Sequence, residues 1–261
     1  MGELQFLQVN STDGVLTAVL NRPKANAFHG PMVEEWLSVL KGAERDDSVR
    51  CLLLTGAGRF FSTGQDVTAF GDGDGLVSFR EHLHRTYNRV ILRMRKLEKP
   101  IVGAINGPAV GAGLGIALAT DLRIAAESAS FIYGFTGIGL SADSGTSLAM
   151  PLLIGLARAA EMAFTNRAVT AQEALAIGLV NRVVPDAELM DQARELAVSL
   201  AKGPTRAIGL SKRALNRSVL ASLEATLEYE AHLQEIAGRT ADHTEGVAAF
   251  LEKRQPTFKG K

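Results

Sequence analysis

The chain has 261 residues, 46% apolar and 21% charged, with 28 basic side chains balanced by 28 acidic ones. This is enough chain for one large domain with a sizeable core. A chain with no net charge argues against nucleic-acid binding, which needs a basic face.

Cys51 is the only cysteine, which excludes an internal disulfide and fits a reducing compartment. It lies in the apolar run VRCLLLTG, so a buried structural thiol is expected rather than a nucleophile. The first ten residues lack the basic start and apolar core of a secretory signal. The apolar run 101–119 is interrupted by glycines, a proline and Asn106, which argues against a membrane span. A cytoplasmic location is the expectation.

In chain order, LQFLQV and GVLTAVLN read as two strands joined by a polar turn over 10–14. RPKANAF is a loop, after which Pro31 opens a helix with Met32, Trp36, Leu37 and Leu40 at helical spacing. VRCLLLTG has the continuous apolar character of a buried parallel strand, and AGRFFSTGQD follows as a turn. GDGDG at 71–75 reads as a hinge before a long helix over about 77–99, ended by Pro100. IVGAING is another buried strand, GAGLGIALATD a glycine-rich turn running into a helix, and LRIAAES one more strand. From Ser147 onward the pattern is mostly helical, with Thr170 and Glu173 spaced as a capping box. Strand–helix units followed by a run of helices predict an α/β core with a helical C-terminal part, of the kind that often makes subunit contacts.

Three strand ends deliver polar or glycine-rich turns, at 56–66, 106–115 and 139–145, and sites in parallel α/β folds form at such ends. FSTGQD offers backbone N–H groups around Gly64 and Gln65, while Gly111, Ala112 and Gly113 stand at a helix N-terminus that favours an anion. Aimed at one point, two such N–H groups would form an oxyanion hole for a thioester or ester enolate. The same glycines could instead serve close packing of a helix on a sheet.

Other chemistries find little support. GAGLGI lacks the G-x-G-x-x-G spacing, and there is no G-K-[ST] phosphate loop. His82 and His84 diverge on a helix, and His29, His232 and His243 are isolated, so no metal is expected. Without a G-x-S-x-G motif, Ser141 and Ser144 are not elbow nucleophiles. Lys253, Arg254, Lys259 and Lys261 read as a solvated tail, with a phosphate contact as the alternative.

The stretch GLSADSGTS is different, because Asp143 is its single carboxylate and the only charged side chain between 128 and 157. One reading is a cap, with Asp143 or Ser144 accepting N–H bonds at the start of a helix through 148–154. The other is a proton carrier in an apolar pocket, its pKa lifted by burial.

Taken together, LNRPKANAF (20–28), LLLTGAGRFFSTGQD (52–66), KPIVGAINGPAVGAGLGIALATDLRIAAESASF (99–131), IGLSADSGTSLAMPLLIG (138–155), ALAIGLVNRVV (174–184) and AFLEKRQPTF (249–258) resemble the enoyl-CoA hydratase/isomerase (crotonase) family over nearly the whole chain. The resemblance implies a crotonase-like α/β spiral of ββα units over 1–200, carrying an acyl-CoA site. A helical trimerisation region would follow over 201–261, giving a homotrimer or dimer of trimers. No cofactor is implied beyond the coenzyme A of the substrate. The matched backbone N–H groups for the thioester oxygen are those of Gln65 and Ala112. Lys24 and Ala25 match the loop that meets coenzyme A, and GRFFSTGQD, with Ser62, Gly64 and Asp66, the wall against the adenine. Gly111, Phe135 and Leu140 complete the implied substrate-binding set.

The chain departs from the hydratase pattern at both acids. Gly115 stands where hydratases carry one glutamate, and Phe135 is the nearest match to the other. Asp143 matches the single acid of enoyl-CoA isomerases and of the ring-epoxide isomerase of phenylacetate breakdown. GLSADSGT is also similar to dienoyl-CoA isomerases, whose other two acids are absent here. GLGIALATD and TNR resemble 4-chlorobenzoyl-CoA dehalogenase, whose tryptophan and histidine are replaced by Phe135 and by a residue near Asn88. The expectation is an acyl-CoA isomerase of fatty-acid metabolism that moves a double bond from C3–C4 to C2–C3. The alternatives are an enoyl-CoA hydratase and a non-catalytic acyl-CoA- or RNA-binding member. Restoring glutamates at Gly115 and Phe135 is expected to raise hydration.

Overall fold

The structure is a computed structural model that describes residues 4–23, 25–70 and 78–261. β1 (Leu7–Thr12) and β2 (Val15–Leu20) form an antiparallel hairpin in which Thr12 faces Val15. Only Asp13 and Gly14 turn the chain, both at positive φ (57° and 76°), as a two-residue type I′ hairpin requires. The polar residues of the expected longer turn, 10–12, instead form the exposed half of an edge strand.

α1 (Gly30–Arg45) leads to β3 (Cys51–Gly56), and α2 (Phe79–Arg85) and α3 (Tyr87–Lys96) lead to β4 (Ile101–Ile105). Then follow β5 (Ala109–Val110), α4 (Ala112–Ala119), β6 (Leu122–Ala126) and β7 (Ser130–Ile132). The second half holds α5 (Thr146–Ile154), α6 (Leu156–Thr165), β8 (Val169–Thr170), α7 (Ala171–Ala176), β9 (Arg182–Val184), α8 (Leu189–Lys202), α9 (Thr205–Val219), α10 (Leu223–Ala237) and α11 (Ala241–Glu252).

A six-stranded sheet runs β1-β2-β3-β4-β6-β9 and is parallel from β2 onward. β3 and β4 are buried at every residue, as their unbroken apolar runs require of central parallel strands. On one face α8 lays Ala193, Ala197 and Ala201 against Val15, Cys51, Leu53, Val102 and Ile124. Methyl side chains at helical spacing let the helix approach closely. Enlarging one of them would overpack the layer, at about 1–3 kcal/mol. Burial pushes the Cys51 thiol up to about 12, with the Asp121 charge adding to the effect, so it stays protonated. The opposite face carries the main core, including Phe28, Trp36, Phe61, Leu52 and Leu54.

The helix expected over 77–99 is two helices, and the hinge expected at 71–75 lies outside the described residues. The break is at Thr86 (φ −118°, ψ −96°), whose hydroxyl donates to the His82 carbonyl at 2.6 Å. Such back-bonding competes with the helical ladder. β8 and β9 fall in the stretch read as helical, because two- and three-residue strands carry no visible periodicity. β5, β7 and β8 form a second, three-stranded sheet that holds the entry to α4.

Thr170 caps α7 by accepting the Glu173 N–H, but the Glu173 carboxylate pairs with Arg167 rather than turning back on Thr170. The basic C-terminus is exposed yet tied down. Arg254 grips Glu245, and the Lys259 and Gly260 N–H groups donate to Asp242 on α11. α10 packs on α2 and α5, and α11 on the turn 136–138, so the last helices return to the strand ends where the site forms.

Candidate active site

The loop after β3 is locked from behind by Ser62. Its buried hydroxyl donates to Asn26 O (2.8 Å) and accepts from Gly64 N (3.1 Å), while its carbonyl accepts from Val110 N (3.0 Å). Gly64 sits at φ +82°, and a Cβ there would lie 2.7 Å from Val110 O and 3.1 Å from Ala112 N. Only glycine allows this approach, and it brings Gln65 beside the start of α4.

Ala112 is the first residue of that helix, so its N–H has no acceptor within the helix. Among the described residues neither the Gln65 nor the Ala112 N–H donates to the protein. Their neighbours are spent: Asp66 N donates to Phe28 O and Gly111 N to Ile132 O. Both residues line one cavity of about 470 Å³. All eight residues of α4 are buried and apolar or glycine, so the helix presents only its backbone dipole to that cavity. Its far end is held by cations: Arg95 donates to Ala119 O (3.1 Å), and Arg123 to Thr120 O (2.7 Å).

The Gln65 side chain is clamped as well. Its Oε1 accepts from the Tyr87 hydroxyl (2.8 Å) and lies 3.1 Å from His82 Nε2. The kink at Thr86 lets α2 and α3 supply one partner each. Burial, with the Asp143 and Asp66 charges, raises the Tyr87 hydroxyl well above its ordinary pKa, which keeps it a donor. Burial also lowers His82, while His84 points away to Glu228.

Asp143 reaches the cavity from the turn before α5 and is 8% exposed. Its Oδ1 accepts from Ser144 Oγ (2.6 Å) and its Oδ2 from Gln234 Nε2 (3.0 Å). The same Nε2 donates to Ser141 O (2.8 Å), which fixes the orientation of the amide. No cation is paired with the carboxylate among the described residues. Burial pushes its pKa up to about 7. The nearby Glu230 charge adds to the rise, and the bonds from Ser144 and Gln234 oppose it.

The capping reading of Asp143 is overturned. The N-terminus of α5 is capped from α10 by Glu230, which accepts from Gly145 N (2.8 Å), Ser147 N (2.9 Å) and Ser147 Oγ (2.5 Å). Asp143 contributes only its main-chain carbonyl, to Thr146 N and Oγ1. With the cap supplied from elsewhere, the Asp143 carboxylate faces the cavity. Ser144 makes no cap either, since its hydroxyl donates to Asp143.

Ala25, Gln65, Asp66, Gly111, Ala112, Phe135, Leu140 and Asp143 thus line one cavity, while Ser62 and Gly64 stand behind it and shape its wall. Lys24 lies outside the described residues. Asp66 is bound by Thr68 and by Arg22 (2.6 Å). These bonds outweigh burial and pull it to about 2, so it holds the loop and carries no proton at neutrality. Glu230 and Gln234 escaped the sequence reading. They are one helical turn apart on α10, in EYEAHLQ, and resemble the solvated face of an amphipathic helix. Tyr87 and His82 were hidden in the same way by the unseen kink.

At Gly115 an added Cβ would meet Ser144 Cβ at 2.4 Å, and the Phe135 ring is packed edge-on against Tyr133 (5.0 Å). A glutamate at 115 therefore has no room, which corrects the expectation that simple replacement restores a hydratase acid.

The chain matches the enoyl-CoA hydratase/isomerase family over residues 10–261. It is 42% identical over 261 residues to the 1,2-epoxyphenylacetyl-CoA isomerase of Escherichia coli K12, covering 99% of this chain and 100% of that protein. It is 38% identical over 227 residues to 4-chlorobenzoyl coenzyme A dehalogenase-1 of Arthrobacter sp, covering 86% and 82%. The crystal structure of an enoyl-CoA hydratase from Mycobacterium avium subsp. paratuberculosis K-10 superposes with a TM-score of 0.89 at 32% identity, over 98% of this chain and 100% of that one. With its crotonase fold and a match along nearly its full length, the chain belongs to the enoyl-CoA hydratase/isomerase family.

Proposed function

We propose that the protein is an acyl-CoA isomerase that shifts a double bond from C3–C4 to C2–C3, with Asp143 as its sole proton shuttle. The observation that carries this reading is the buried Asp143 carboxylate, with no cationic partner among the described residues, in the cavity that Gln65 and Ala112 also line; burial pushes its pKa up to about 7. The thioester oxygen accepts hydrogen bonds from the Gln65 and Ala112 N–H groups. Charge that develops there on proton removal is stabilised by donors already in place.

The ionised Asp143 takes a proton from C2, and the C–H electrons form a C1–C2 double bond as the carbonyl electrons move onto the thioester oxygen, giving a dienolate conjugated with the C3–C4 double bond. The protonated Asp143 then returns a proton at C4, and the double bond settles at C2–C3. One acid serves both carbons because they lie on one face of the bound chain. The reaction as proposed uses no cofactor, since coenzyme A is part of the substrate. Burial supplies the pKa match to neutral pH that a general base needs.

Water addition needs a second group to position the water, and the only other carboxylate on the cavity wall among the described residues is the ion-paired Asp66. The aromatic wall of Phe79, Tyr87 and Phe135 suits a ring or a short acyl chain. Similarity to an epoxyphenylacetyl-CoA isomerase adds ring acyl-CoA thioesters to the candidate substrates. The test is a panel of 3-enoyl-, 2-enoyl- and ring-epoxide-CoA substrates with product identification. Migration of the double bond, in a chain or a ring acyl-CoA, supports the reading, and ring-epoxide isomerisation without it overturns it. Hydration of crotonyl-CoA as the dominant activity overturns it.

A further inference from the structure

The turn 143–145 separates two cavities. Asp143 lines the acyl cavity, whereas Ser144 and Gly145 line a second one of about 260 Å³ on the other side of the turn. Ser144 is held at φ +56°, in the left-handed region that serine rarely adopts. That conformation sets its Cβ against Gly115, itself a wall of the second cavity, while its hydroxyl donates to Asp143 Oδ1 at 2.6 Å. Among the described residues nothing donates to Ser144 Oγ, so both of its lone pairs are free.

The second cavity is roomy and partly polar. Thr120, Asp121, Arg95 and Asn216 lie on its wall, and Leu152, Leu215 and Val219 at its rim are about half exposed. A cavity of that size has room for water beside these groups.

We propose that Ser144 is a proton relay that connects Asp143 to solvent through the second cavity, while the acyl cavity is closed off by substrate. The proposal rests on the isomerase reading above. In the relay, protonated Asp143 passes its proton from Oδ1 to Ser144 Oγ as the serine hydroxyl proton leaves to a water. The reverse transfer returns a solvent proton to Asp143. Each step breaks one O–H bond and forms one, with no net charge created, and such chains of hydroxyls and water are known proton carriers. The consequence is that the proton delivered to C4 need not be the one removed from C2.

The test is isomerisation of a 3-enoyl-CoA in D₂O, with deuterium at C4 of the product read by mass spectrometry and NMR. Wild-type protein is expected to place deuterium at C4 in most product molecules. Ser144→Ala keeps the Cβ against Gly115 but lacks the hydroxyl, and its product is expected to retain the C2 hydrogen at C4. A second variant, Ala149→Leu, narrows the second cavity from α5 without touching Ser144 or Asp143, and the same loss of deuterium is expected. It carries the test if Ser144→Ala does not fold. Wild-type deuterium content in a folded variant overturns the relay alone, as does wild-type product that already retains its hydrogen. No turnover with any 3-enoyl-CoA overturns the isomerase reading and the relay with it.

Discussion

Ser144 stands in the space that a side chain at position 115 would need. A Cβ on Gly115 would lie 2.4 Å from Ser144 Cβ and 2.9 Å from Ser144 O. The contact couples the middle of α4 to the turn that carries Asp143, so the two positions are not independent. Gly115→Ala is expected to destabilise the fold by about 1–3 kcal/mol through overpacking. Ser144→Gly suits the positive φ and removes the nearer obstacle, so the double variant recovers part of that loss. Urea unfolding of the four proteins measures the coupling as a departure from additivity. Hydratase activity is to be sought only with a glutamate at 115 in the Ser144→Gly background.

Asp143→Asn is predicted to abolish double-bond migration while acyl-CoA still binds. The amide keeps the size of the side chain but cannot take up a proton near neutrality. A general base is worth about 10²–10⁴-fold, and the sole acid of a site stands at the top of that range. Turnover with a 3-enoyl-CoA, measured beside ligand affinity, checks this. Equal turnover in the variant would remove Asp143 from the chemistry.

The same substitution changes stability with pH. Unfolded, Asp143 titrates near 3.8, and folded, at about 7. Between these values the folded state binds more protons than the unfolded one, so stability from this group is present at low pH and is lost as pH rises through 7. Asp143→Asn removes the buried charge and is predicted to melt above wild type on the alkaline side of 7. The difference should shrink as pH falls toward 4. A melting-temperature series across that window shows whether it does.

Activity follows the opposite trend, because the base must be ionised. The kcat/KM for isomerisation is expected to rise with pH through a midpoint near the Asp143 value of about 7. Glu230 contributes to that value through its charge, along with the dominant burial. Glu230→Gln keeps an acceptor for the N-terminus of α5 and removes the charge, so the midpoint is expected to move acidward. An unchanged midpoint would make Glu230 a cap alone.

Ala112 offers a direct test of the N–H donor. Proline is tolerated at the first residue of a helix, where its missing N–H breaks no helical bond. Ala112→Pro is therefore predicted to fold and to lose about 10²–10³-fold in kcat, the usual effect of one oxyanion donor. A folded variant with undiminished kcat would place the thioester oxygen elsewhere.

Much of the framework was legible in the residue pattern. Unbroken apolar runs such as those of β3 and β4 suit central parallel strands, and a glycine turn before an apolar run suits the start of a buried helix. A lone acid in thirty residues without another charge was visible as an anomaly from composition alone. Short range set the limit. Strands of two or three residues, such as β8 and β9, leave no period to read, and the kink at Thr86 depends on one hydroxyl-to-carbonyl bond. The role of Asp143 was open for a related reason. A carboxylate before a helix is a cap unless another group takes that place, and the group that does so, Glu230, arrives from 83 residues away. Gln234 reaches Asp143 on the same helical face. Only the packing of α10 against α5 frees the Asp143 side chain for the cavity, buries it and lifts its pKa. Local sequence determined where the lone carboxylate of this stretch stands. Tertiary structure decided its environment, because desolvation and long-range hydrogen bonds are properties of what surrounds a residue in space.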